Sequence, residues 1–208
     1  MNKVRTVWAT PEGEDLIAYM ARVSAPANQD NKATAPKLIK YLIKNKHWSP
    51  LEMVNICMEI ETTRDIARQI LRHRSFSFQE FSQRYAEVDT FSFSEARMQD
   101  EKNRQNSLET EDLGLMYWWE CAQRRVLDDA KFMYESALNK GIAKEVARKL
   151  LPEGLAMSKM YMNGTLRSWL HYIDIRCDVA TQKEHREVAE LCKAEITKHF
   201  PNVVSYAD

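Results

Sequence analysis

Hydrophobic positions in this chain alternate with period two in some stretches and recur at three- and four-residue intervals in others, which separates expected strands from expected helices. Lys3 to Ala9 reads as a strand with Val4, Thr6 and Trp8 on one side. Val54 to Glu61 alternates cleanly, Val54, Ile56, Met58 and Ile60 against Asn55, Cys57, Glu59 and Glu61, the pattern of a half-buried strand. Leu155 to Met162 reads as a further strand, closed by the turn signal Asn163-Gly164. Pro11 and the segment Glu12 to Glu14 open a helix that carries Leu16, Ile17 and Met20. The polar stretch Ser24 to Ala33 is a loop, after which Thr34 can cap a helix with Pro36 in its first turn and Leu38, Ile39, Leu42 and Ile43 on one face.

Thr62 with Asp65 starts the next helix as a capping box, with Ile66 and Ile70 inward and Asp65, Gln69 and Arg72 on a second stripe. Arg97 to Asp112 is polar, has no period and reads as a mobile surface loop. Leu113 to Asn139 predicts a long helix whose apolar stripe is Leu115, Trp118, Trp119, Ala122, Val126, Ala130, Met133 and Ala137, ended by Gly141. Lys144 to Leu151 is a short helix stopped by Pro152. Thr165 to Arg176 is a helix burying Leu166, Trp169, Leu170 and Ile173, and a last one runs from near Ala180 to His199 on Val188, Leu191, Cys192 and Ile196. The sum is an α+β fold, long helices packed on a small, mostly antiparallel sheet, with residues 1–208 forming one domain.

Composition narrows the partners. Lysine plus arginine and aspartate plus glutamate each total 30, so the net charge is zero and a general nucleic-acid binder is not expected. The four cysteines include no C-x-x-C pair, which points to reduced thiols in the cytoplasm, with neither disulfides nor a zinc site. The opening MNKVRTVWATPEGED has no apolar core, and no apolar run approaches the roughly 20 residues a bilayer requires, so neither export nor a membrane span is expected. Glycine occurs only five times, without a dinucleotide fingerprint or a P-loop. A nucleotide would therefore have to be held by side chains and helix ends.

The residues suited to that task cluster. Arg72-His73-Arg74 opens the segment RHRSFSFQEFSQRY, in which Glu80, Ser82 and Arg84 follow. Adjacent cationic groups repel unless an anion sits among them, and the planar fork of arginine grips phosphate bidentately. Ahead of it lies His47-Trp48-Ser49-Pro50-Leu51-Glu52, and beyond it Arg148 in EVARKLLP and the segment Asn163 to Arg176, with Arg167 and His171 on one helix and Gln182 and Glu184 just after. Cys57 falls in an expected strand and Cys192 on an expected helix face, so inert thiols are expected there and a thiol nucleophile is not.

These blocks, in this order from about His47 to Arg186, resemble the flavin-dependent thymidylate synthases, whose signature is an arginine-histidine-arginine triplet with a serine eight residues after its last arginine. The chain departs from that pattern at Leu51, where phenylalanine is common, at Met53, where a second histidine is common, and at Thr165, where asparagine is usual. The resemblance implies conversion of dUMP to dTMP, with methylenetetrahydrofolate as carbon donor, NADPH as reductant and FAD as the bound cofactor, by a homotetramer whose sites lie at subunit junctions. It assigns Gln69, Arg72, Ser82, Arg84, Arg148 and Arg176 to dUMP, with Arg176 as the catalytic group at the uracil carbonyl edge. It assigns Ser49, Arg72, His73, Arg74, Glu80, Thr165, Arg167 and His171 to FAD, and leaves the folate contacts open between His47 and Tyr85. A family member that binds without turnover, and a module reading nucleic-acid phosphates, remain as alternatives.

Overall fold

The structure, a computed structural model, describes residues 2–205. Its strands are β1 (Lys3–Ala9), β2 (Asn55–Thr63), β3 (Ser77–Glu80), β4 (Arg97–Gln99), β5 (Ser107–Glu109) and β6 (Met157–Thr165). Its helices are α1 (Gly13–Ala21), α2 (Ala35–Lys44), α3 (Arg64–Ile70), α4 (Leu113–Asn139), α5 (Lys144–Ala147), α6 (Leu166–Arg176), α7 (Lys183–His199) and α8 (Pro201–Val204). An antiparallel sheet in the order β1-β2-β6-β3 forms the centre, and β4 pairs with β5 as a separate hairpin. The α+β expectation holds.

One sheet face makes the core. Ile56, Met58 and Ile60 of β2 and Met160 and Met162 of β6 meet Ile66 and Ile70 of α3, Trp169 and Tyr172 of α6, and Val188 and Ile196 of α7, all without solvent exposure. The indole of Trp169 donates to the Ile56 carbonyl at 3.1 Å, so this buried polar atom is satisfied. The other face of β2 is covered as well, contrary to the half-buried expectation, because β2 is central and long side chains cross it from both neighbours. Arg5 forks onto Glu59 with two contacts of 2.8 Å. That fork outweighs the raising effect of burial and, helped by Tyr161 and Lys159, holds the Glu59 carboxyl down to about 2.

The two chain ends are clasped together. Glu14 in α1 receives both the backbone and the side-chain amide of Asn202 in α8, at 2.7 and 2.6 Å. The Phe200 ring sits over Gly13. Asn2 donates to Glu187, and Thr6 to Glu195, both on α7.

Several expectations need correction, each for a local reason. β1 carries a bulge: pairing passes from Thr6 with Met58 to Trp8 with Cys57, leaving Val7 extra. Trp8 therefore turns outward and Ala9 packs on the core. Thr62 lies in β2 with its hydroxyl on Asn2, and α3 starts at Thr63 without a side-chain cap. The Thr34 hydroxyl takes a bond from Arg22 at 2.7 Å and does not cap α2. The polar stretch 97–112 contains the β4–β5 hairpin, pinned by Lys183 to Glu109 at 2.9 Å and by Arg97 to Glu184 at 2.6 Å. Leu191 is exposed on α7, and His185 and Ala189 fill the buried stripe.

Asn163-Gly164 is not a turn. β6 runs through it, and a Cβ on Gly164 would lie 2.4 Å from the Phe76 ring. Gly164→Ala is expected to destabilise the fold by about 1–3 kcal/mol through overpacking. Urea unfolding reads this directly, and an unchanged midpoint would mean that the ring simply moves aside.

The long helix α4 has the bounds its period indicates, but its expected apolar stripe is only partly covered, with Leu115, Trp119, Ala122 and Ala130 half-buried. Trp118, Val126 and Met133 are exposed, as are Leu113, Tyr117 and Phe132, while Gln123, Tyr134 and Ala137 are buried. No described helix is long and apolar enough to cross a membrane.

Candidate active site

The triplet is built by a helix end. α3 stops at Ile70, and the amides of Arg72 and His73 close the last turn onto the carbonyls of Gln69 and Ile70. The chain then turns outward into β3. Arg72 and Arg74 are exposed, with no ion pair to any described residue, while His73 between them turns inward. Its ring lies edge-on to Tyr172 at 4.9 Å, and its Nε2 accepts from Arg176 Nε at 2.9 Å. The proton of His73 is therefore on Nδ1. Burial, then the electrostatic influence of Arg176 and of the nearby His171, pushes its pKa down to about 4.

Gln69 stands one turn before the triplet and faces α7. Its Oε1 is 3.2 Å from His185 Nδ1, and its Nε2 donates to Gln182 at 2.7 Å. His185 is fully buried beneath it; burial, then Arg176 and His73, hold this ring at about 3. Sequence reasoning missed His185 and Tyr172, although a histidine three residues before Val188 in an apolar stripe was a visible signal.

Both histidines have the same linkage sign. The unfolded chain takes up protons near the ordinary value of 6.5, while the folded chain refuses them until about 4 and about 3. Their contribution to stability is thus complete above the unfolded value and is lost as pH falls through it toward the folded values. Urea midpoints at about pH 7.5 and about pH 5 should show stability falling on acidification, and His185→Gln should flatten that dependence by about one proton. A pH-independent midpoint would contradict it.

A second group gathers around α5. Ser82 starts a single turn in which its carbonyl receives the amides of Tyr85 and Ala86. Arg84 pairs with Glu145 at 3.2 Å, and Arg148 Nε donates to the carbonyl of the same Glu145 at 3.3 Å. Two of the arginines that the resemblance assigns to dUMP thus meet at one residue. Glu80 lies elsewhere: Arg68 contacts its oxygens at 2.7 Å, Ser158 donates to it at 2.8 Å, and Arg64 lies 3.7 Å away.

The third group lines a cleft of about 940 Å³ between the segment before β2 and α6, with Trp48, Glu52, Ser75, Arg167, Ser168 and His171 among its walls. Arg167 and Glu52 are ion-paired across it. Ser49 opens the short helical turn Ser49–Met53 and is exposed outside this lining. Thr165 caps α6, accepting from the Ser168 amide and donating its proton to Ser168 Oγ at 3.2 Å. Its hydroxyl can then only accept from a ligand. A second cavity of about 810 Å³ is walled by Asp65, Phe93, Arg97, Trp119, Glu184 and Gln182, the partner of Gln69, and Asp65 Oδ1 is buried without a partner among the described residues.

Within one chain, the structure joins Gln69, His73 and Arg176 in one group, Ser82, Arg84 and Arg148 in a second, and Arg167 and His171 at the cleft.

Known proteins share this fold and much of this sequence. The fold matches two crystal structures of a UMP/dUMP methylase, PolB of Streptomyces cacaoi, bound with 5-Br dUMP and 5-Br UMP. At 24% identity they cover 99% of this chain and 94% and 93% of theirs, with TM-scores of 0.84 and 0.88, so the α+β architecture is shared. A flavin-dependent thymidylate synthase of Synechocystis is 53% identical over 196 residues, 94% of this chain and 89% of that protein. A probable flavin-dependent thymidylate synthase of Paramecium bursaria Chlorella virus 1 is 49% identical over 94% of this chain and 90% of its own length. The model of the thymidylate synthase complementing proteins matches residues 5–202, and the chain belongs to this family of flavin-dependent thymidylate synthases.

Proposed function

We propose that this chain is an FAD-dependent thymidylate synthase that methylates dUMP to dTMP with methylenetetrahydrofolate and NADPH, working in the cytoplasm as a homotetramer of single-domain subunits. The observation that carries the proposal is the contact of His73 with Arg176, 103 residues further along the chain on α6, the helix that also walls the cleft of about 940 Å³. The cleft fits such a cofactor: Ile43, Trp48 and Leu170 offer apolar surface for a ring system, and Lys44, Lys46 and Arg167 offer cations for phosphates.

Arg176 uses Nε–H on His73, which leaves its Nη donors for the uracil carbonyl edge and the negative charge that develops there. Neutral His73 is well suited to hold that guanidinium in place, because a protonated ring would repel it. Arg84, Arg148 and Ser82 take the phosphate and sugar, with Gln69 and Arg72. Arg72, His73, Arg74, Arg167 and His171 face FAD, with Ser49, Glu80 and Thr165 at its margin. Glu80 acts there by fixing Arg68 and Arg64. When bound, the flavin supplies the electrons that a thiol-independent methylation requires. Buried Cys57 and Cys192, both with thiols raised by burial, are unsuited to serve as nucleophiles. The Gln69 group and the Arg84 group each make half of a phosphate and base site, and we place the whole site where two subunits meet, with the exposed face of α4 as the contact.

Purified protein should be yellow with FAD and should oxidise NADPH only with dUMP present, yielding dTMP when methylenetetrahydrofolate is added. Flavin colour without dUMP-dependent oxidation, or steeply salt-dependent DNA binding by a colourless protein, would overturn this function.

A further inference from the structure

Gln69 is one link in a line of hydrogen bonds that begins at an ion pair and ends in the core. Arg97 at the start of β4 donates to Glu184 Oε1 at 2.6 Å. Glu184 Oε2 accepts from Gln182 Nε2 at 3.0 Å, and Gln182 Oε1 accepts from Gln69 Nε2 at 2.7 Å. Gln69 Oε1 lies 3.2 Å from His185 Nδ1, and His185 Nε2 lies 3.2 Å from the Tyr172 hydroxyl. Amide groups and imidazole rings can be turned end for end, so distances alone leave the direction of such a line open. Glu184 decides it, because a carboxylate only accepts. Burial opposes its charge, yet the Arg97 guanidinium and the Gln182 amide hold its pKa below the ordinary range.

Reversing any one link would place two oxygens, or an oxygen and a bare ring nitrogen, face to face. Gln182 must therefore donate to Glu184, and Gln69 to Gln182. The Gln69 oxygen must accept from His185, whose proton sits on Nδ1, and Tyr172 must donate to Nε2. One Gln69 N–H is used on Gln182, its oxygen is held from inside, and its second N–H has no partner among the described residues.

We propose that Arg97, Glu184 and His185 are positioning residues that commit Gln69 to offering an N–H to the bound nucleotide, so that it selects an anionic phosphate oxygen. Left free, the carboxamide could turn its oxygen toward the phosphate and repel it. The hairpin β4–β5, which carries Arg97, thereby takes part in nucleotide recognition without touching the nucleotide. This inference rests on the proposed contact between Gln69 and dUMP phosphate.

The test titrates the FAD-loaded full-length protein with dUMP and with deoxyuridine, which lacks the phosphate. Glu184→Gln is expected to weaken dUMP about tenfold or more while changing deoxyuridine less than about twofold. General damage to the fold would weaken both probes alike and would overturn the inference. Gln69→Ala should weaken dUMP, and adding Glu184→Gln to it should cost less than about twofold more, since the two residues act through one contact. Nitrogen-15 spectra should show His185 protonated on Nδ1 in the parent protein and a mixture of tautomers in Glu184→Gln, where the amides are free to reverse. If Gln69→Ala weakens dUMP but Glu184→Gln does not, the relay is wrong and the phosphate contact stands. If Gln69→Ala leaves dUMP affinity intact, the contact itself fails and the inference with it. A parent His185 protonated on Nε2 also overturns the relay.

Discussion

Arg176→Ala should lower kcat/KM for dUMP by about 100- to 1,000-fold, the usual cost of removing one preorganised donor from developing negative charge. Its geometry supports so large a figure. Nε is fixed by His73 at 2.9 Å, and the His73 ring is fixed in turn by Tyr172, so the outward Nη groups need little reorganisation. Arg176→Lys keeps the charge but loses the planar fork, and should recover only a small part of the rate. The substitution also leaves a spectroscopic trace. Arg176 is the second largest influence holding His73 down, after burial, so the His73 pKa should rise from about 4 toward its ordinary value in Arg176→Ala. An alanine variant with near-parent turnover would remove Arg176 from the catalytic role, whatever its effect on the histidine.

A charge on the outer face of α4 should be nearly as damaging, although it lies away from His73 and the cleft. Tyr117, Trp118 and Phe132 are 71%, 60% and 65% exposed, a density of large apolar side chains that soluble monomers rarely leave in water. Closed against another subunit, Trp118→Asp would bury an unpaired carboxylate at a cost on the order of 3 kcal/mol or more per contact. Light scattering should then find dimers or single chains in place of the tetramer proposed for the parent. Activity should fall with the assembly, because the Arg84 and Gln69 groups would no longer be brought together. A variant that stays tetrameric, or a fully active single chain, would refute the proposed contact.

Period alone located most of the fold, since α4, α6 and the two central strands bury or expose side chains over many residues and local spacing carries that signal. It could not assign α4 its partner. An amphipathic stripe says that something covers it, and core and subunit contact look the same at that level. The bulge at Val7 was illegible for a different reason: one inserted residue changes which side Trp8 faces without disturbing the apolar composition. The hairpin within 97–112 depends on Arg97 and Lys183 reaching carboxylates on distant segments, and no local pattern encodes that. Gly164 has an ordinary strand conformation and is required only because Phe76 leans on it, so its neighbour Asn163 made it look like a turn. At the site, family resemblance indicated the residues and spacing could not group them. The meeting of Arg84 with Arg148 at Glu145, and the burial of His185 under Gln69, arise from tertiary packing alone.

The clasp between the two termini has a consequence for how the molecule is made. α7 and α8, which follow every strand in sequence, close over the sheet and over Gly13, and Asn202 satisfies Glu14 in α1. Until α7 and α8 have left the ribosome, the apolar face of β2 and β6 is covered only by the helices that precede them, and nascent chains must remain soluble with part of that face open.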